Sequence, residues 1–286
     1  MNLLAFCREP NGVTIKRVPV NGALQQPLDQ LFLQQELAFR AGRPNEVPFD
    51  GDWKPDDDEL IVLDNTAEAD AMIAAVAGNV LALPLIDTAN FEAENIKALF
   101  VGTNAGGDVK LLVQRFTSAQ ILNRKFAVFA HNNAFSRLTD TAFSLGSTLT
   151  CIVENGQIKF ESYHNLRAIF DVSEFFAEAT DEDIDDFAGH ASIEIADIAA
   201  FKELVTQTER KLIHKLVSTD VLNIHTPQDI QTVAGQTGVV INIVNGQIVF
   251  PAEKQDIRRF LRFLDDSLYQ APLSGRRYVT NSKRAV

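Results

Sequence analysis

Over the first 170 or so residues the apolar positions come mostly in short alternating runs, whereas from about residue 192 they recur every three or four positions. Residues 3–7 and 13–18 are two such runs on either side of Pro10-Asn11-Gly12, which predicts a hairpin. Pro27 opens an amphipathic stretch, with Leu28, Leu31, Phe32, Leu37 and Phe39 apolar, that reads as a helix stopping near Gly42 and Pro44. Residues 47–59 are polar and turn-rich and read as an exposed loop. A strand at 60–63 and a short helix at 66–76 follow; Thr66 is the N-cap, and Glu68 and Asp70 occupy the first turn.

A second hairpin is expected at 96–101 and 109–116, across Gly106-Gly107-Asp108. Further strands are expected at 126–130, 143–145, 149–153 and 158–163, the last two joined by Asn155-Gly156, a strong hairpin turn. Thr180 followed by Asp181, Glu182 and Asp183 marks a helix start. Residues 195–217 read as one long helix through Ile198, Phe201, Leu204, Leu212, Ile213 and Leu216. Thr226 and Pro227 open another, and 239–244 with 248–250 predict a hairpin across Asn245-Gly246. A last helix spans 253–268, with Ile257, Phe260, Leu261, Leu264 and Leu268 on one face. The pattern implies an α+β fold: a β-rich N-terminal region with hairpins at 1–178, and a mainly helical region at 179–286 with one β-hairpin and a basic tail.

Composition fits that picture. The chain is 46% hydrophobic and 22% charged, as in ordinary globular proteins, and its 286 residues suffice for two modest cores. No apolar run approaches the roughly 20 residues a membrane span needs, and the N-terminus turns polar too early for a secretory signal. Cys7 and Cys151 sit in apolar alternating segments and read as buried free thiols, so a cytoplasmic setting is expected.

Charge changes the picture more. The chain carries a formal −12, yet its last 33 residues hold eight basic side chains against three acidic ones, while the first 253 hold 18 against 35. Positive charge gathered in one place on an acidic protein points to an anionic partner, most commonly a phosphate backbone. The candidate contacts are Arg258, Arg259 and Arg262 on the last helix, and Arg276, Arg277, Lys283 and Arg284 beyond it. Lys211 and Lys215 of the long helix extend the track. Two plainer readings stand beside this one: Arg262 salt-bridged to Asp265 and Asp266, and a merely solvated tail.

Candidate chemistry is sparse. The five histidines show no metal-ligand spacing, and no phosphate-binding or dinucleotide glycine pattern occurs. The acidic run 181–186 reads as helix capping. Asp108-Val109-Lys110 with Asp87 upstream is the only nuclease-like arrangement, and neither cysteine has a histidine in a recognisable context. No catalytic residue, metal or cofactor is assigned.

The closing segment from Leu264-Asp-Asp-Ser-Leu-Tyr to Tyr278-Val-Thr-Asn-Ser-Lys-Arg284, and the block at 143–170 ending Ala168-Ile169-Phe170, resemble the KwaB family of the Kiwa anti-phage defence system. The resemblance runs from about Phe91 onward; it departs at Ala271, where a serine is usual, and near Thr150, where an aspartate is expected. It implies a cytoplasmic protein that binds DNA and acts with a small membrane-embedded partner, KwaA-like, at the inner face of the membrane. It brings no catalytic residues. A homodimer placing two basic tails together would strengthen binding through effective concentration.

Overall fold

A computed structural model describes residues 1–10, 12–49, 55–122, 126–131, 134–280 and 283. Asn11 of the first predicted turn and Arg284 of the predicted contact set lie outside the described residues. The fold is α+β, and the chain divides into two compact units, one of Met1–Phe49 with Pro55–Val172 and one of Ser173–Val286.

The first unit contains β1 (Leu3–Glu9), β2 (Gly12–Arg17), α1 (Gly22–Arg40), β3 (Asn45–Pro48), β4 (Glu59–Asp64), α2 (Ala67–Ala77), β5 (Ile96–Ala105) and β6 (Asp108–Arg115). It continues with β7 (Val128–His131), β8 (Ala134–Arg137), β9 (Cys151–Glu154), β10 (Gln157–Phe160) and α3 (Tyr163–Leu166). Eight strands form one sheet in the order β2-β1-β5-β6-β9-β10-β4-β3. Its neighbours are antiparallel except β3 and β4, so part of the stretch read as a loop at 47–59 is an edge strand. The segment around Phe143 makes only an isolated bridge to Ile121 instead of a strand.

Alternation along the central strands sorts the core onto two faces. Leu99, Val101, Leu112 and Ile152 face Leu28, Phe32 and Phe39 of α1, which Asn21 caps from Gly22, five residues before the Pro27 that the sequence favoured as a start. On the other face α2 approaches so closely that a Cβ at Gly102 would lie 2.6 Å from a Val76 methyl.

The second unit contains α4 (Asp181–Ala188), β11 (Ile193–Glu194), α5 (Ile198–Leu204), α6 (Gln207–Ser218), α7 (Val221–Ile224) and α8 (Pro227–Thr237). Then come β12 (Asn242–Val244), β13 (Gln247–Val249), α9 (Lys254–Leu264), β14 (Leu268–Gln270) and β15 (Arg277–Val279). The run read as one helix at 195–217 is two. Thr206 caps α6 through a box with Glu209, and extended backbone at Val205 separates it from α5. A small sheet in the order β11-β13-β12 completes the core. Phe250 is the aromatic hub, with edge-to-face contacts to Phe187, Phe201 and Phe260 at ring distances of 5.8, 5.3 and 5.0 Å. Phe260 thereby locks the apolar face of α9 and turns its charged face outward.

Candidate functional site

The register of α9 decides where its cations go. Ile257, Phe260, Leu261, Phe263 and Leu264 are buried, so Lys254, Arg258, Arg259 and Arg262 are left on the opposite side. Lys254, Arg258 and Arg262 follow one another at four-residue steps, about one cation per 6 Å of axis. Together with Arg259 they line a groove of about 460 Å³ whose apolar lining is Leu268 and Val279. Those two residues belong to the hairpin β14–β15, in which Leu268 pairs with Val279, Tyr269 with Tyr278 and Gln270 with Arg277.

Like charges at this spacing repel, and two of the arginines are held by specific partners. The Arg258 Nε donates to the Glu209 carboxylate at 2.6 Å, and Glu209 is completely buried. Burial pushes the Glu209 carboxyl up, but hydrogen bonds from Thr206 and Arg258 outweigh it and hold the group below the ordinary carboxylate range. The Arg259 Nη2 donates to the carbonyl of Gly238 at 2.9 Å, and the Arg277 guanidinium lies against the same glycine. Gly238 caps the C-terminus of α8 in the left-handed region, φ 71°, so two cations meet the negative end of that helix. Arg262 and Arg276 have no carboxylate within 4 Å among the described residues.

The other predicted contacts are more engaged. Asp265, expected to pair with Arg262, instead lies 3.0 Å from the Lys283 ammonium and 4.0 Å from that of Lys215. Lys283 also donates to the Asp265 carbonyl, which ties this part of the tail to the end of α9. Lys211 is 3.9 Å from Glu178. The geometry thus brings Arg258, Arg259, Arg262 and Arg277 to one groove and its rim, gathers Lys215 and Lys283 around Asp265, and leaves Arg276 exposed on the hairpin. Sequence reasoning did not single out Lys254 or Glu209. The first is simply one turn before Arg258; the second was legible as the end of a Thr-x-x-Glu capping box inside a run that reads as unbroken helix.

The nuclease-like triplet in the first unit is differently occupied. The Lys110 ammonium donates to both Glu36 oxygens at 2.8 Å, and Asp87 caps its own turn through the Ala89 amide and the Asn90 side chain. Among the described residues no group of three or more His, Cys, Asp or Glu is placed to hold a metal ion. Both cysteines are buried and free; burial, reinforced by Glu94, pushes the Cys7 thiol up to about 12, and burial also raises Cys151. Neither is a thiolate at neutral pH. No helix among the described residues is long and apolar enough to cross a membrane.

Fold and site together define an α+β protein with an acidic body and an arginine-built C-terminal groove. The chain belongs to the Kiwa protein KwaB-like family, whose profile matches residues 93–274, more than half of its length. Membership gives it a role in Kiwa anti-phage defence. No curated protein and no solved structure is significantly similar to it.

Proposed function

We propose that this protein serves Kiwa defence by binding DNA through the basic face of its C-terminal region. The carrying observation is the groove in which Lys254, Arg258, Arg259 and Arg262 converge over Leu268 and Val279. Cations in a row on one rigid helix neutralise successive phosphates and release their counterions, a sequence-indifferent mode of binding. Arg276 and Arg277 continue the surface on the hairpin, Lys211, Lys215 and Lys283 extend it, and Arg284 next in sequence adds a further cation to the set. Within this set Arg258 mainly holds the helix in place through Glu209, whereas Arg259 and Arg262 are spent on less and bear more of the phosphate contact. The protein acts in the cytoplasm beside a small membrane protein of the same system, which recruits it to the inner face, and a homodimer doubles the basic surface.

The test is binding of a short labelled duplex across a potassium chloride series. The intact protein should bind with affinity falling steeply as salt rises, and Arg259→Glu with Arg262→Glu should weaken it roughly tenfold or more at low salt. Point substitution is preferable to truncation after Ala271, because loss of β15 would strip Leu268 of its partner. If the intact protein binds neither the duplex nor a single strand of the same length at low salt, the DNA reading fails and the basic face belongs to an acidic protein or lipid partner.

A further inference from the structure

We infer that the hairpin β14–β15 is a stacking platform for unpaired bases, so that the nucleic acid held at the basic face is single-stranded. This rests on the nucleic-acid reading above and names its substrate class. Register decides which side chains of the ribbon share a face. In an antiparallel ribbon the side chains alternate between faces. Leu268, Gln270, Arg277 and Val279 therefore share one face, and Tyr269, Tyr278 and, through the Ala271–Arg276 backbone pair, Arg276 share the other. On the first face Leu268 and Val279 line the groove and Arg277 packs on Gly238, with Val279 itself still 49% exposed.

The second face is left open. The Tyr269 and Tyr278 rings stack at 5.5 Å with an interplanar angle of 23°, yet they stay 47% and 42% exposed. A cross-strand aromatic pair of this kind steadies a short ribbon, and that alone would explain its presence. It does not explain why the ribbon that carries the pair lines a cationic groove with its other face and sets beside the rings Arg276, which has no carboxylate within 4 Å among the described residues. Stacked tyrosines flanked by arginines are the chemistry of single-strand recognition: cations track the backbone while aromatic rings take the bases, whatever their sequence. A duplex keeps its base faces hidden.

The experiment compares an oligothymidylate with a duplex of equal length on the intact chain and on three folded variants: Tyr269→Leu with Tyr278→Leu, the corresponding double Phe variant, and Arg259→Glu with Arg262→Glu. The intact protein should prefer the single strand. The Leu pair keeps the ribbon apolar but removes the stacking faces, and should weaken single-strand binding roughly tenfold while changing duplex binding by less than about twofold. The Phe pair should restore it, and the Glu pair should weaken both ligands. If the Leu pair binds the single strand as tightly as the intact protein, or the intact protein prefers the duplex, the platform is wrong while the DNA reading stands on the Glu pair. Absence of binding to either ligand by the intact protein overturns both.

Discussion

Glu209 closes the capping box of α6 with one carboxylate oxygen, 2.5 Å from the Thr206 hydroxyl, and receives Arg258 on the other. A buried carboxylate tolerates this only because both oxygens are satisfied. Removing Arg258 strands a buried carboxylate, so Arg258→Ala should cost about 3 kcal/mol, measured by denaturant unfolding, whereas Glu209→Ala should cost less because the half-exposed Arg258 can turn to water. Any loss of binding in Arg258→Ala would then be confounded with unfolding, which is why Arg259 and Arg262 are the cleaner probes. The sign with pH follows from the depressed pKa of Glu209. A carboxyl held below its ordinary value contributes stability above that value and loses it as pH falls through the folded one. The unfolding midpoint should therefore drop as pH is lowered from about 5, and the drop should be smaller in Glu209→Gln. Gly238 carries a second constraint. Its φ of 71° disfavours any side chain, and a Cβ there would fall 2.0 Å from an Arg277 nitrogen. Because Arg277 can swing away, the strain of the left-handed backbone dominates, and Gly238→Ala should destabilise by about 1 kcal/mol.

At the scale of elements, caps and turns were legible and partners were not. Thr66, Thr180 and Thr226 cap α2, α4 and α8 as their spacing to following acids predicts, because a cap is satisfied within four residues. Asn155 and Asn245 take positive φ in their turns, as two-residue hairpin loops require. The break between α5 and α6 was hidden because apolar periodicity runs on across it. The hairpin β14–β15 was hidden too: each strand is three residues long, and nothing local in the sequence marks Gly238 or Asp265 as anchors for the tail. The basic residues of the site could be counted in the sequence, but which of them are spoken for depended on Glu209, 49 positions from Arg258. Across the main sheet, the ion chain Lys110–Glu36–Arg40–Glu154–Lys159–Glu46 joins α1 to β6, β9, β10 and β3. Burial pushes the Glu154 carboxyl up, but hydrogen bonds from Arg40 and Lys159 hold it below its ordinary range, so this chain too weakens in acid. On the opposite face the sheet depends on absence of bulk. Gly102→Ala would drive a methyl into Val76 and Leu111, and should cost about 1–3 kcal/mol in unfolding experiments.

The whole molecule sets a long-range term against the local one. On the DNA reading proposed above, the polyanion that the C-terminal groove attracts is repelled by the acidic residues elsewhere on the chain, and the two terms respond differently to salt. Contact pairs lose affinity as salt rises, by about 0.9 logarithmic units per neutralised phosphate for each tenfold rise in salt on a duplex. Repulsion from charges beyond a Debye length, about 10 Å in 0.1 M salt, is relieved at the same time. The observed slope should therefore be shallower than the number of engaged cations implies. Exposed Asp57, Glu182 and Asp186 lie outside the groove and outside the capping and ion-pair contacts that occupy Asp181, Asp183 and Asp185. Changing Asp57→Asn, Glu182→Gln and Asp186→Asn together removes three negative charges without touching a phosphate contact. Affinity for a short duplex should rise a few-fold at low salt and converge with the unmodified protein at high salt, giving a steeper slope. An equal gain at every salt concentration would mean that these residues act locally, and that the acidic body plays no part in tuning how tightly the basic face holds its partner.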